Sequence, residues 1–128
     1  MTTQITGGVK VSVRCTYQPQ QSNPANGHFV FTYHVHIENR SNYSVQLMSR
    51  QWHLFDSDNT QRIVKGEGVV GLQPIIEPGQ HYEYVSGSNL KTDMGTMTGF
   101  YTMKRLVDGE IFKVSIPKFF LIASFRLN

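Results

Sequence analysis

Apolar and polar residues alternate along most of this chain with a period of two, the spacing of strands that bury one face. Val9, Val11, Val13, Cys15 and Tyr17 alternate with Lys10, Ser12, Arg14 and Thr16, so the first set is expected against a core and the second in solvent. Cys15 then reads as a small buried hydrophobe rather than a nucleophile. Residues 18–27 are polar and hold two prolines and a glycine, which marks a loop. Phe29, Phe31, Tyr33, Val35 and Ile37 form the inward face of a second long strand. After a turn at 39–42, a third strand is expected over 44–56, but its phase changes. Val45 and Leu47 share one parity, Trp52 and Leu54 the other, and a β-bulge near Ser49 and Arg50 reconciles them. Trp52, the largest apolar side chain, is the expected centre of the core.

The second half continues in the same way. A turn at 56–60 leads into a short strand over 61–65, and residues 66–78 read as a crossover. A strand over 80–86 carries Tyr82 and Tyr84 on one face, and one over 96–105 carries Met97, Gly99, Tyr101 and Met103. Asp108 and Gly109 signal a tight turn into a strand over 110–116. Pro117 is expected to interrupt the chain before a last strand over 118–124. No run of ten residues has the three-and-four spacing of an amphipathic helix. The pattern predicts an all-β, immunoglobulin- or fibronectin type III-like sandwich of two antiparallel sheets with seven or eight strands. Without a Cys–Trp–Cys arrangement, an antibody-type domain is not expected.

A length of 128 residues suits one domain with its own core. The single cysteine forms no internal disulfide, which suits a reducing compartment. The N-terminal residues lack the charged and apolar regions of a secretory signal. No stretch reaches the roughly 20 apolar residues of a membrane helix, so a cytoplasmic, non-membrane protein is expected. A net charge of +3 raises the question of nucleic acid. The basic residues are scattered and interspersed with acids, however, whereas nucleic-acid binders gather theirs on one face, so that partner is not expected.

Gly66, Gly68 and Gly71 fit the pattern G-x-G-x-x-G. In a dinucleotide fold these glycines open a helix whose free N–H groups bind pyrophosphate. Pro74 and Pro78 forbid a helix here. Two readings remain: a conformationally demanding crossover between sheets, which is the simpler, or a nest of backbone N–H groups around an anion. In the second, Arg62, Lys65 or Arg50 would add charge and Glu67 would oppose it. His34 and His36, two apart, share the outward face of one strand, a spacing that can serve a metal. A site needs further ligands from His28, His53, His81 or a carboxylate, and solvent-facing histidines are the simpler reading. No nucleophile with a positioned base and no paired-carboxylate set is indicated, so no catalytic residues are assigned.

Several of these strings resemble the ApaG domain family, also called CorD. The most specific run holds Gly66, Gly68, Gly71, Pro74, Pro78 and Gly79, followed by Tyr82, Tyr84 and Gly87. Leu90, Lys91 and Thr92 belong to it, as do Met94 through Tyr101, Arg50 with Trp52, and Phe31 and Tyr33 with Asn39. The likeness spans about residues 9–125. It implies a fibronectin type III-like sandwich and, in bacteria, a stand-alone cytoplasmic protein associated with cobalt tolerance and magnesium efflux. The domain also occurs in F-box proteins and in a DNA polymerase delta-interacting protein, which implies protein binding. The family supplies no catalytic residues, its glycine motif falls on Gly66, Gly68 and Gly71, and His34 and His36 lie outside its pattern. The expectation is therefore a non-catalytic protein-binding module without a cofactor, its contact surface formed by residues 66–79 with 87–95. The alternative is a nucleotide or other phosphate-containing ligand at 66–71. The partner and the oligomeric state stay open.

Overall fold

In the computed structural model, which describes residues 1–127, the alternation becomes nine strands: β1 (Thr2–Thr6), β2 (Val9–Tyr17), β3 (Phe29–Asn39), β4 (Val45–Asp56), β5 (Gln61–Glu67), β6 (Ile75–Ile76), β7 (His81–Leu90), β8 (Met94–Arg105) and β9 (Ile111–Ile122). They form two antiparallel sheets, one in the order β1-β2-β3-β7 and one in the order β5-β4-β8-β9, with β6 also on β4. Single 3-10 turns are the only helical elements among these residues, and no helix is long and apolar enough to cross a membrane.

The core lies between the sheets. β3, paired on both sides, alternates strictly from Phe29 to Asn39. Trp52 is 2% exposed and meets rings from both sheets, Tyr33 at 5.4 Å and Phe119 at 5.9 Å between centroids. The expected phase slip in β4 occurs at Met48, where the ladder to β8 passes from Leu47↔Met103 to Ser49↔Thr102. That slip turns Arg50, Trp52 and Leu54 inward, because Arg50 stands opposite buried Tyr101. Cys15 is half-buried against the core; burial pushes its thiol up to about 11, with a smaller opposing effect from the Thr16 backbone.

Several expectations need correction. β1 is an additional edge strand with one apolar residue, exposed Ile5, so it has no alternation to reveal it. Through β1, Thr3 Oγ1 reaches Ser12 Oγ at 3.0 Å, and Ser12 is buried rather than in solvent. Pro117 does not break the chain. β9 is continuous, and the register shifts from Met97↔Phe119 to Gly99↔Ile116, so Pro117 and Lys118 sit in an irregularity that asks for no proline N–H. Asp108 and Gly109 belong to a longer loop, closed where the Arg105 N–H donates to the Glu110 carbonyl at 2.8 Å.

Candidate binding surfaces

The glycine segment is an excursion within one edge of a sheet. β5 pairs with β4 as far as Glu67↔Ser49, and β6 resumes on the same edge at Ile75↔Gln46. Between them the Gly68 N–H donates to the Met48 carbonyl at 2.8 Å, and Gln73 Nε2 donates to that same oxygen at 2.9 Å. The bulge residue thus supplies the acceptor that holds both ends of the excursion. Val69 and Leu72 exchange two backbone hydrogen bonds, 2.8 and 3.0 Å, around a two-residue turn with positive φ at Val70 (48°) and Gly71 (78°). That is the geometry of a type I′ turn. Val69 is fully buried, whereas Val70 is 63% exposed. Gly68 has no alternative residue: its φ is +60°, and a Cβ would lie 1.9 Å from the Leu72 carbonyl oxygen.

The structure brings only part of the expected anion site together. Arg50 covers Gly66, where a Cβ would meet its guanidinium at 2.7 Å, and Nη1 donates to the carbonyls of Glu67 (3.1 Å) and Gly68 (2.8 Å). Arg50 is therefore engaged by carbonyl oxygens, the Gly68 N–H is committed to Met48 on β4, and those of Val69 and Leu72 are committed to each other's carbonyls. Lys65 stands opposite Gln51, on the other face of the sheet from Arg50. Arg62 reaches away to the Asn89 carbonyl at 2.8 Å, tying β5 to β7 across the open side of the sandwich. The 87–95 segment lies at the Asp56 end of β4, where the Lys91 N–H donates to Asp56 Oδ2 at 2.7 Å, and so does not adjoin the glycines.

Beside Arg50, on the inner faces, the hydroxyls of Tyr84 and Tyr101 hydrogen-bond to one another across the sheets. Desolvation raises both phenols above their usual range, Tyr101 most strongly, and Arg50 acts weakly in the opposite sense. Tyr33 is raised by the same cause.

On the outer face of the other sheet, His34 and His36 acquire partners from β7. His34 Nε2 lies 3.2 Å and His36 Nε2 3.6 Å from the two carboxylate oxygens of Glu83. The His36 and His81 rings stack with centroids 4.8 Å apart. Of the other histidines named from sequence, His28 lies in a bridge to Asn23, and His53 contacts Gln51 at 3.1 Å on the opposite sheet. Glu83 was not among the sequence candidates. Its signal is the pair His81 and Glu83, two apart as His34 and His36 are.

With this geometry in view, the ApaG domain family model matches residues 19–105. The chain belongs to the ApaG family. It is 44% identical over all 128 residues to Protein ApaG of Anaeromyxobacter dehalogenans, with both chains fully covered. Protein ApaG of Rhodospirillum centenum is 44% identical over 121 residues, 94% of this chain and 92% of its own. The crystal structure of the ApaA protein from Bordetella pertussis superposes with a TM-score of 0.87 at 40% identity, covering 91% of this chain and 94% of that one. The ApaG domain model includes the whole glycine excursion, with Arg50, which holds the carbonyls of Glu67 and Gly68.

Proposed function

We propose that this ApaG domain is a non-catalytic protein-binding module that takes an extended segment of its partner along the β5–β6 edge. The observation that carries this reading is Val70. A β-branched residue at positive φ costs about 1–2 kcal/mol relative to a residue that accepts that conformation, yet this one stands at a loop tip with most of its side chain in water. Strain held without burial points to a selected contact rather than to folding. Its neighbours along the same edge are apolar and exposed as well: Ile63, Val64, Leu72 and Ile75. An open edge offers backbone groups to an added strand, and alternate side chains give it selectivity.

A photoreactive amino acid placed at Val70 or at Ile63 in cells should give the same discrete adduct with another protein. Placement at Val107, still more exposed on the β8–β9 loop, should not. Val70→Asn should raise stability by about 1 kcal/mol, since asparagine tolerates positive φ, and should abolish the adduct formed through Ile63. Adducts only with a second copy of the chain, or an Ile63 adduct undiminished in Val70→Asn, would overturn the proposal.

A further inference from the structure

The outer face of the β1-β2-β3-β7 sheet carries a second group of side chains, remote from the β5–β6 edge. His36 and Glu83 stand directly opposite one another in the β3–β7 ladder, and His81 precedes Glu83 by two residues on the same face. One donor atom from each of these three lies within 4.8 Å of the others. The contact between His36 Nε2 and Glu83 Oε1, 3.6 Å, is too long for a hydrogen bond. It is close to the separation of about 3.3 Å between two ligands of a tetrahedral ion with bonds of about 2.0–2.1 Å. His81 is exposed, so its ring has room to rotate inward by the remaining ångström or so. The backbone that carries all three is a paired ladder, with β3 held on both sides, so the donors start near their bound positions.

We propose that His36, His81 and Glu83 form a binding site for a divalent transition ion such as zinc. Two imidazoles and one carboxylate are a donor set that suits zinc or nickel and does not suit the all-oxygen preference of magnesium or calcium. Three protein ligands leave a fourth position for water or for a donor from a partner. His34 is not assigned to the set, because it faces Arg14 across the β2–β3 ladder and meets the other oxygen of Glu83. A cation bound on the His81 side stays farther from that guanidinium.

The test is calorimetric titration of the full chain with zinc chloride in a non-chelating buffer, together with histidine ring signals in nuclear magnetic resonance. One zinc per chain is expected, with signals of His36 and His81 shifting and those of His28 and His53 unchanged. His36→Gln and Glu83→Gln should each weaken binding by about tenfold or more, since even outer-shell changes cost that much. Their thermal unfolding without metal should match the parent protein, which separates ligand loss from misfolding. No heat at millimolar zinc, or full affinity in the His36→Gln, His81→Gln double variant, would overturn the proposal. So would a response confined to His28 or His53. None of these outcomes bears on Val70.

Discussion

The side-chain amide of Asn39 donates to the carbonyl oxygen of Ile76 at 2.8 Å and lies fully buried. The same nitrogen donates to the Tyr43 carbonyl at 2.7 Å, while Oδ1 accepts from the N–H and hydroxyl of Ser41 at 3.0 and 2.6 Å. Its backbone pairs with Gly79 and Gln80. One residue at the end of β3 thus fixes the point where the chain leaves β6 in one sheet and enters β7 in the other.

Replacing Asn39 should therefore cost more than a typical polar substitution. Asn39→Ala removes one buried and three part-buried hydrogen bonds, each typically worth about 0.5–1.5 kcal/mol. We expect a loss of about 3 kcal/mol, read as a lower urea midpoint with little change in slope. Asn39→Asp should be no better, because its carboxylate would face two carbonyl oxygens. A loss below about 1 kcal/mol in Asn39→Ala would contradict this role.

Gly68 and Gly71 separate two causes of glycine's presence. Both have positive φ, but a Cβ at Gly71 meets nothing within 4 Å, whereas at Gly68 it collides with the Leu72 carbonyl. Gly71→Ala should cost only the conformational penalty, about 1 kcal/mol. Gly68→Ala should cost clearly more and displace the turn, visible as lost protection of the Val69 and Leu72 amides in hydrogen exchange. Equal costs would contradict the packing argument.

The Tyr84–Tyr101 hydroxyl pair makes the fold sensitive to alkali. Both phenols are raised in the fold by desolvation, so between pH 10 and their folded values the native state keeps protons that the unfolded chain has lost. Stability from these groups is complete below about pH 10 and falls as pH rises above it, by about 1.4 kcal/mol per unit for each retained proton. Ultraviolet titration should show these phenols ionising only together with unfolding. Tyr84→Phe should also destabilise the fold at neutral pH, because it leaves the Tyr101 hydroxyl buried without its partner. Tyr84 and Tyr101 themselves ionising near pH 10 while the protein stays folded would contradict this.

Much of the fold was legible because burial enforces alternation. β2 and β3 read directly, and the slip in β4 showed itself as a change of parity that pointed to Ser49 and Arg50, one to two residues from Met48. What local pattern could not show were elements defined by partners. β1 has a single apolar residue, β6 has two residues, and the continuity of β9 through Pro117 depends on an irregularity shared with β8. The candidate sites follow the same division. The two prolines correctly excluded a helix after Gly71, but which face Arg50, Lys65 and Arg62 occupy depends on register and on the Met48 bulge. The meeting of His36 with His81 and Glu83 depends on the pairing of β3 with β7, which no local spacing encodes.

The most direct measurement is amide hydrogen exchange of the domain, alone and bound to the protein captured through Val70. A partner strand laid along the open edge should slow exchange most strongly across residues 61–67 and 69–76, leaving β9 and the 106–109 loop as they were. Slowing on β1, β7 or β9 with residues 61–67 unchanged would contradict binding at this edge.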